Sequence, residues 1–168
     1  FVSASLQAAI QKYLQTHDDI KKLHEKLVFQ MNDTHPTLTV PELMRLLMDE
    51  YELTWDEAWE VTTKCTAYTN HTVMKEALEC WPEDLFRSLL PRIHQIVKEI
   101  DNRYRAHIWE MTHDAGKVEN MAVTSNGVIR MANLCVATCH SVNGVSALHS
   151  QILKDTVFND YYKLTPDK

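Results

Sequence analysis

The sequence predicts an α/β fold in which helix is in excess. Two observations carry this. Short apolar runs that read as buried strands alternate with longer stretches of helical spacing. No linker, internal repeat, low-complexity stretch or charge block divides the 168 residues. One domain is the ordinary expectation for that length, and it is long enough to bury a real core.

In chain order, Val2, Leu6, Ala9, Ile10, Tyr13 and Leu14 recur at helical spacing over 1–14. Asp18 is the expected N-cap of a short helix through Glu25. Residues 27–31 read as a short buried strand running into the polar cluster Asn32-Asp33-Thr34-His35-Pro36. Thr39-x-x-Glu42, with Pro41 in the first turn, predicts a capping box and a helix to about Glu50. Thr54-x-x-Glu57 predicts a second, opening a helix to about Lys64. Residues 66–69 have strand composition and lead into Asn70-His71-Thr72. From Pro82 the pattern is helical for some 30 residues, with Pro91 expected to bend it. Ile93, Ile96, Val97, Ile100, Tyr104, Ile108 and Met111 form one apolar stripe there. Residues 121–124 and 128–131 flank Ser125-Asn126-Gly127, and Asn-Gly is a strong hairpin signal. Residues 131–139 predict a short buried helix, 140–144 a tight link, and 145–154 a further helix.

Composition narrows the function. Three glycines, far below the usual share of about 7%, remove the material of a phosphate-cradling loop, and no GxGxxG or P-loop pattern occurs. A net charge of −6 lacks the basic face that nucleic acid or an anionic membrane requires. No run nears the ~18 apolar residues of a membrane helix. Phe1-Val2-Ser3 is neither an initiator nor a signal peptide and reads as the middle of a helix, so a piece of a longer protein is expected. Cys65, Cys80, Cys135 and Cys139 sit among apolar or helical neighbours, as reduced, buried thiols of a cytosolic protein would.

Two clusters share a form: Asn32-Asp33-Thr34-His35 and Asn70-His71-Thr72, each after a short strand. Ligands of open α/β sheets bind at the carboxyl ends of strands. Residues rich in acceptors and donors but not in charge suit sugar hydroxyls. The competing reading is that Asp33 and Thr34 cap a turn and His35 is an ordinary satisfied histidine. Both clusters are also Asn-x-Thr sequons, which without a signal peptide read as accidents. Cys135-x-x-x-Cys139-His140 is one residue longer than a haem-attachment motif, and no paired zinc-ligand spacing accompanies the nine histidines, so no metal site is expected. Asp33 lacks an obvious acid partner for glycoside hydrolysis, and no G-x-S-x-G elbow occurs. These residues make a polar pocket but not a complete catalytic machine.

The same clusters carry a family resemblance. Phe29-Gln-Met-Asn-Asp-Thr-His-Pro-Thr-Leu-Thr-Val-Pro-Glu-Leu-Met-Arg45 resembles a segment of the α-glucan phosphorylases (glycogen, starch and maltodextrin phosphorylases). Ala67-Tyr-Thr-Asn-His-Thr-Val73, Glu76-Ala-Leu-Glu79, Trp81-Pro82 and Leu89-Leu-Pro-Arg92 continue the match in order. So do Ile129-Arg-Met-Ala132, Leu134-Cys135, His140-Ser-Val-Asn-Gly-Val145 and Pro166-Asp167-Lys168, so that essentially the whole chain is covered.

The resemblance implies the last part of the N-terminal, Rossmann-like domain of a glycosyltransferase B-type fold, with residues 1–168 as a single segment and the C-terminal cofactor domain absent. It implies an enzyme that releases glucose 1-phosphate from an α-1,4-glucan with inorganic phosphate. Family members are cytoplasmic, typically homodimeric, and use pyridoxal phosphate, whose lysine belongs to the C-terminal domain and matches nothing here. Asp33 and His71 carry over as catalytic residues, with His71 expected near the 6-hydroxyl of the reacting glucose. His35, Asn70, Thr72, Ala77 and Val145 carry over as substrate-binding. The animal enzymes bind glycogen at a second site on the long helix through a tyrosine; Lys98 stands at that position, Asp101 replaces the neighbouring asparagine, and 119–127 is shorter. These departures argue against such a site. The chain alone is expected to be inactive. The alternative is a standalone carbohydrate-binding or helical interaction module.

Overall fold

In the computed structural model, which describes residues 1–168, helix α1 (Val2–Leu14) buries Leu6, Ile10 and Tyr13, one face of the predicted spacing. A 3-10 turn over Ile20–Glu25 follows. Its cap is Asp19 rather than the expected Asp18: the Asp19 carboxylate accepts from the Lys21 amide at 3.0 Å. Strand β1 (Phe29–Asn32) buries Met31 alone of its four residues. Helix α2 (Thr39–Arg45) opens without the expected capping box. Thr39 is already the first helical residue, one position late for a cap. Glu42 turns instead to Arg45 at 2.8 Å and to the Ser3 hydroxyl at 2.5 Å. A π-helical stretch, Leu46–Glu50, carries the helix to its predicted end.

The second box forms. Thr54 caps α3 (Trp55–Cys65), its hydroxyl accepting from the Glu57 amide while the Glu57 carboxylate accepts from the Thr54 amide at 3.0 Å. Strand β2 (Thr66–Asn70) and a short strand β3 (Cys80–Pro82) follow. The long helical stretch is two helices, α4 (Glu83–Leu89) and α5 (Pro91–Thr112). Pro91 begins α5 rather than bending it, because its missing N–H falls where helix amides have no partner. Ile93, Ile96, Val97, Ile100 and Ile108 are buried as the stripe predicts, but Met111 is 48% exposed, so the stripe runs out into solvent.

Helix α6 (Ala115–Met121), capped by Asp114, carries no strong periodicity and is not predicted; it takes Met121 from the expected strand. The hairpin then forms on β4 (Thr124–Ser125) and β5 (Val128–Arg130), with positive φ at Asn126 (50°) and Gly127 (74°). β3, β5 and β4 make a small antiparallel sheet. Every residue of α7 (Met131–Thr138) is buried, as expected. The predicted tight link at 140–144 is overturned: Ser141–Gly144 is a strand, β6. With Val142 its single large apolar residue, it carries no strand pattern, and its place comes from backbone pairing with β2. Helices α8 (Ala147–Asp155) and α9 (Asn159–Leu164) close the chain.

β1, β2 and β6 form a parallel sheet in that order. Met31, Tyr68 and Val142 share one row facing the helices, and Tyr68 is fully buried. The opposite face is polar: the Gln30 amide donates to the Thr69 hydroxyl at 2.9 Å, which donates to Asn143 at 3.1 Å. Cys65, Cys135 and Cys139 are buried, and burial pushes the Cys65 thiol up to about 12. Cys80, on the edge strand β3, is exposed, against the expectation that all four thiols are interior. No helix is long and apolar enough to cross a membrane.

Candidate functional site

The three parallel strands end side by side. The Asp33 amide, one residue past β1, donates to the Thr69 carbonyl of β2 at 2.9 Å, and Asn70 at the end of β2 lies opposite Gly144 at the end of β6. Asp33 has φ of 63°, a left-handed conformation that Asp tolerates because its carboxylate can bond locally. Its Oδ1 accepts from the Thr34 amide at 2.8 Å, which leaves the other oxygen for a ligand. Asp33 is half-buried and His35 exposed, the latter beside an apolar recess of about 230 Å³ lined by Trp81, Leu85 and Leu89.

Thr34 is buried and its hydroxyl donates to Glu79, whose other carboxylate oxygen accepts from the Trp81 indole N–H at 2.7 Å. Glu79 is the second carboxylate near Asp33 that sequence reasoning did not place. Both its oxygens serve protein donors, so it ties the 71–79 loop to the end of β1 rather than standing free as an acid. The bond spans 45 residues of sequence, and nothing local signals it.

Asn70 is fully buried. Its Nδ2 donates to the Tyr68 hydroxyl at 2.8 Å, and its Oδ1 accepts from the Thr72 amide at 2.8 Å. That burial leaves no room for a glycan on this sequon. Held from below in this way, His71 projects exposed from the strand end, with Thr72 half-buried after it. Ala77 lies exposed in a 3-10 turn, Lys75–Ala77, on the loop that Glu79 anchors. Val145, 56% exposed, directly follows β6. Asp33, His71 and Val145 thus stand at one end of the sheet on three adjacent strands; His35 and Ala77 are set on the flanking loops.

Sequence reasoning missed the residues that hold Val145 in place. A Cβ on Gly144 would stand 2.9 Å from the Ser150 amide nitrogen, so the end of β6 packs on α8 too closely for any side chain. The Gly144 amide donates to the Ser150 hydroxyl at 3.0 Å, and the Val145 amide donates to Nδ1 of His149 at 3.1 Å. One of only three glycines in the chain was the available signal.

Elsewhere the chemistry is structural. Asp101, 1% exposed, accepts from the Val123 amide at 2.7 Å, the Thr124 hydroxyl at 2.6 Å and Arg105 at 2.9 Å. Lys98 donates to the Thr124 hydroxyl at 2.9 Å. The recess around these residues has no apolar or aromatic lining, which leaves no ring face on which a sugar could stack. The Lys168 amine is tied up structurally, donating to the Val136 and Ala137 carbonyls at 2.7 and 3.0 Å, and burial pulls its pKa down to about 8.

Comparison with known proteins gives the family of the chain. The family model described as carbohydrate phosphorylase matches residues 1–168. The chain is 46% identical to glycogen phosphorylase of Bacillus subtilis (strain 168) and 50% identical to the H isozyme of α-glucan phosphorylase of Triticum aestivum. It is 42% identical to the muscle form of glycogen phosphorylase of Ovis aries. Each match covers 99% of this chain but 21% of the relative, so the chain spans about a fifth of their length.

Proposed function

The chain belongs to the carbohydrate phosphorylase family, and we propose that it supplies the glucan-binding side of the active cleft of an α-1,4-glucan phosphorylase. The observation that carries this reading is the convergence of Asp33, His71 and Val145 on the carboxyl ends of three adjacent parallel strands. In this reading the 168 residues are the last part of an N-terminal, Rossmann-like domain in a glycosyltransferase B-type fold. The outer face of the parallel sheet lies open at Gln30, Asn32 and Asn143, and because parallel sheets are ordinarily covered on both faces this supports a larger domain.

The proposed reaction moves the terminal glucosyl unit of the glucan to inorganic phosphate, giving glucose 1-phosphate. Positive charge develops at the anomeric carbon as the glycosidic bond breaks. His71 and Thr72 hydrogen-bond hydroxyls of that glucose, His71 at the 6-hydroxyl, while the buried Asn70 fixes the loop that carries them. Asp33, with one carboxylate oxygen uncommitted, holds negative charge on the glucan side, and His35 binds beyond it. Ala77 and Val145 wall the ring and keep water off it. The contribution of these residues is orientation and preorganised polarity. Pyridoxal phosphate, which supplies a proton-shuttling phosphate group in this reading, and the residues for substrate phosphate belong to a further domain. The whole protein acts in the cytoplasm as a homodimer.

Incubating the full-length protein that carries this chain with maltodextrin and inorganic phosphate tests the reading. Glucose 1-phosphate should appear only when phosphate is present, and the isolated 168-residue chain should release none. Maltodextrin binding without release would favour a carbohydrate-binding module, and release by the isolated chain would contradict the division of labour.

A further inference from the structure

The turn from β6 into α8 is held by side chains rather than by backbone pairing. Two successive amides, those of Gly144 and Val145, would leave the sheet without acceptors. Ser150 Oγ takes the first at 3.0 Å and His149 Nδ1 the second at 3.1 Å. The same helix start is locked from within, because the His149 amide donates to the Ser146 hydroxyl at 3.1 Å and the Ser150 amide to the Ser146 carbonyl at 2.9 Å. His149 is 6% exposed, and a Cβ on Gly144 would lie 3.0 Å from its Nδ1, so the imidazole stands against the strand end with no slack.

The tautomer follows from the partner. An amide N–H can be accepted only by a ring nitrogen without a proton, so the proton of the neutral ring is on Nε2. Nε2 is buried and finds no partner in the chain. An imidazole kept in the interior at the cost of an unpaired N–H is retained for its other nitrogen. A leucine would fill similar volume without that cost, but it would leave the Val145 amide unpaired.

We infer that His149 is a positioning residue of the proposed reaction: through Nδ1 it sets the backbone at Val145 and with it the wall against the reacting glucose. It does not touch the sugar in this scheme. The inference rests on the reading of Val145 as a wall of the glucose pocket, and it adds the residue that determines where that wall stands. A misplacement of about 1 Å at such a wall is enough to cost on the order of 100-fold in rate.

The test compares His149→Asn, His149→Gln and His149→Leu in the full-length protein. Asn places its side-chain oxygen close to where Nδ1 stands; Gln reaches instead to the Nε2 position; Leu offers no acceptor. Phosphorolysis should fall about tenfold to 100-fold in kcat/KM for the glucan with His149→Leu and His149→Gln, and return to within about threefold of wild type with His149→Asn. The KM for inorganic phosphate should stay unchanged in all three. Equal loss in the Asn and Gln variants, or wild-type activity in the Gln variant, overturns the inference, even if the Leu variant fails to fold. Absence of glucose 1-phosphate release by the wild-type protein would instead overturn the functional reading itself.

Discussion

Asp33 joins backbone geometry to chemistry in a single residue. Its left-handed φ of 63° turns the chain at the end of β1, and one carboxylate oxygen secures that turn by accepting the Thr34 amide. Asn tolerates the same conformation and can make the same bond, but it carries no charge. Asp33→Asn should therefore keep the unfolding midpoint of the parent while lowering kcat/KM for phosphorolysis by about tenfold or more. Asp33→Ala should lose activity and stability together, since Ala neither favours positive φ nor accepts the amide. Thermal unfolding and initial rates on the two variants separate these effects. Glu42 makes a different point at the same scale. Burial pushes its carboxyl up, but hydrogen bonds from Arg45 and Ser3 outweigh that and hold it below its ordinary value. A carboxyl lowered on folding stabilises fully above its unfolded pKa, about 4.3, and the contribution disappears as the pH falls through the folded value. The stability gap between wild type and Glu42→Gln, measured by urea unfolding, should be widest near pH 6 and close towards pH 3. A gap that does not change with pH would contradict it. Sequence and resemblance point to Asp33, Asn70 and His71 because motifs carry them. Glu79 lies in a matching stretch that assigns it no role and His149 lies outside the matching stretches, and each acts through a partner that only the fold brings near.

Among the elements, those bearing their own signal are found where expected. α1 and α5 show their apolar periodicity, α3 its capping box, and the hairpin its Asn-Gly turn. The elements the sequence does not announce are β6, β3, α6 and α9, whose places come from pairing and packing with distant segments. β6 matters most, because it brings Val145 beside His71, and its register rests on Gly144. Gly144→Ala should destabilise by about 1–3 kcal/mol, since the added methyl meets backbone that a rotamer change cannot move. A stability equal to wild type would mean that β6 does not pack on α8 as described. Asp101 performs the comparable task for α5, fastening its middle to the segment before the hairpin. Asp101→Ala leaves a buried amide unpaired and strips Arg105 of a partner, so a loss of about 3–5 kcal/mol in chemical unfolding is expected.

For the whole molecule, three interior thiols and one exposed thiol give a direct check on the packing. A thiol reagent should modify Cys80 quickly in the native chain, and reach Cys65, Cys135 and Cys139 only on unfolding. The low glycine content fits the proposed role, in which side chains hold sugar hydroxyls and no backbone amides cradle phosphate. A polar cluster after a strand marks where a ligand can sit, but this stretch of sequence carries no signal of what would face it in the proposed cleft. The central claim is that the ends of β1, β2 and β6 form the sugar-binding side of that cleft. A crystal structure of the full-length protein with a bound maltodextrin tests it most directly. The account predicts a glucosyl ring with its 6-hydroxyl at His71, Val145 against one side, and Asp33 on the side of the glucan chain. A glucan seated elsewhere, with these strand ends empty, would contradict it.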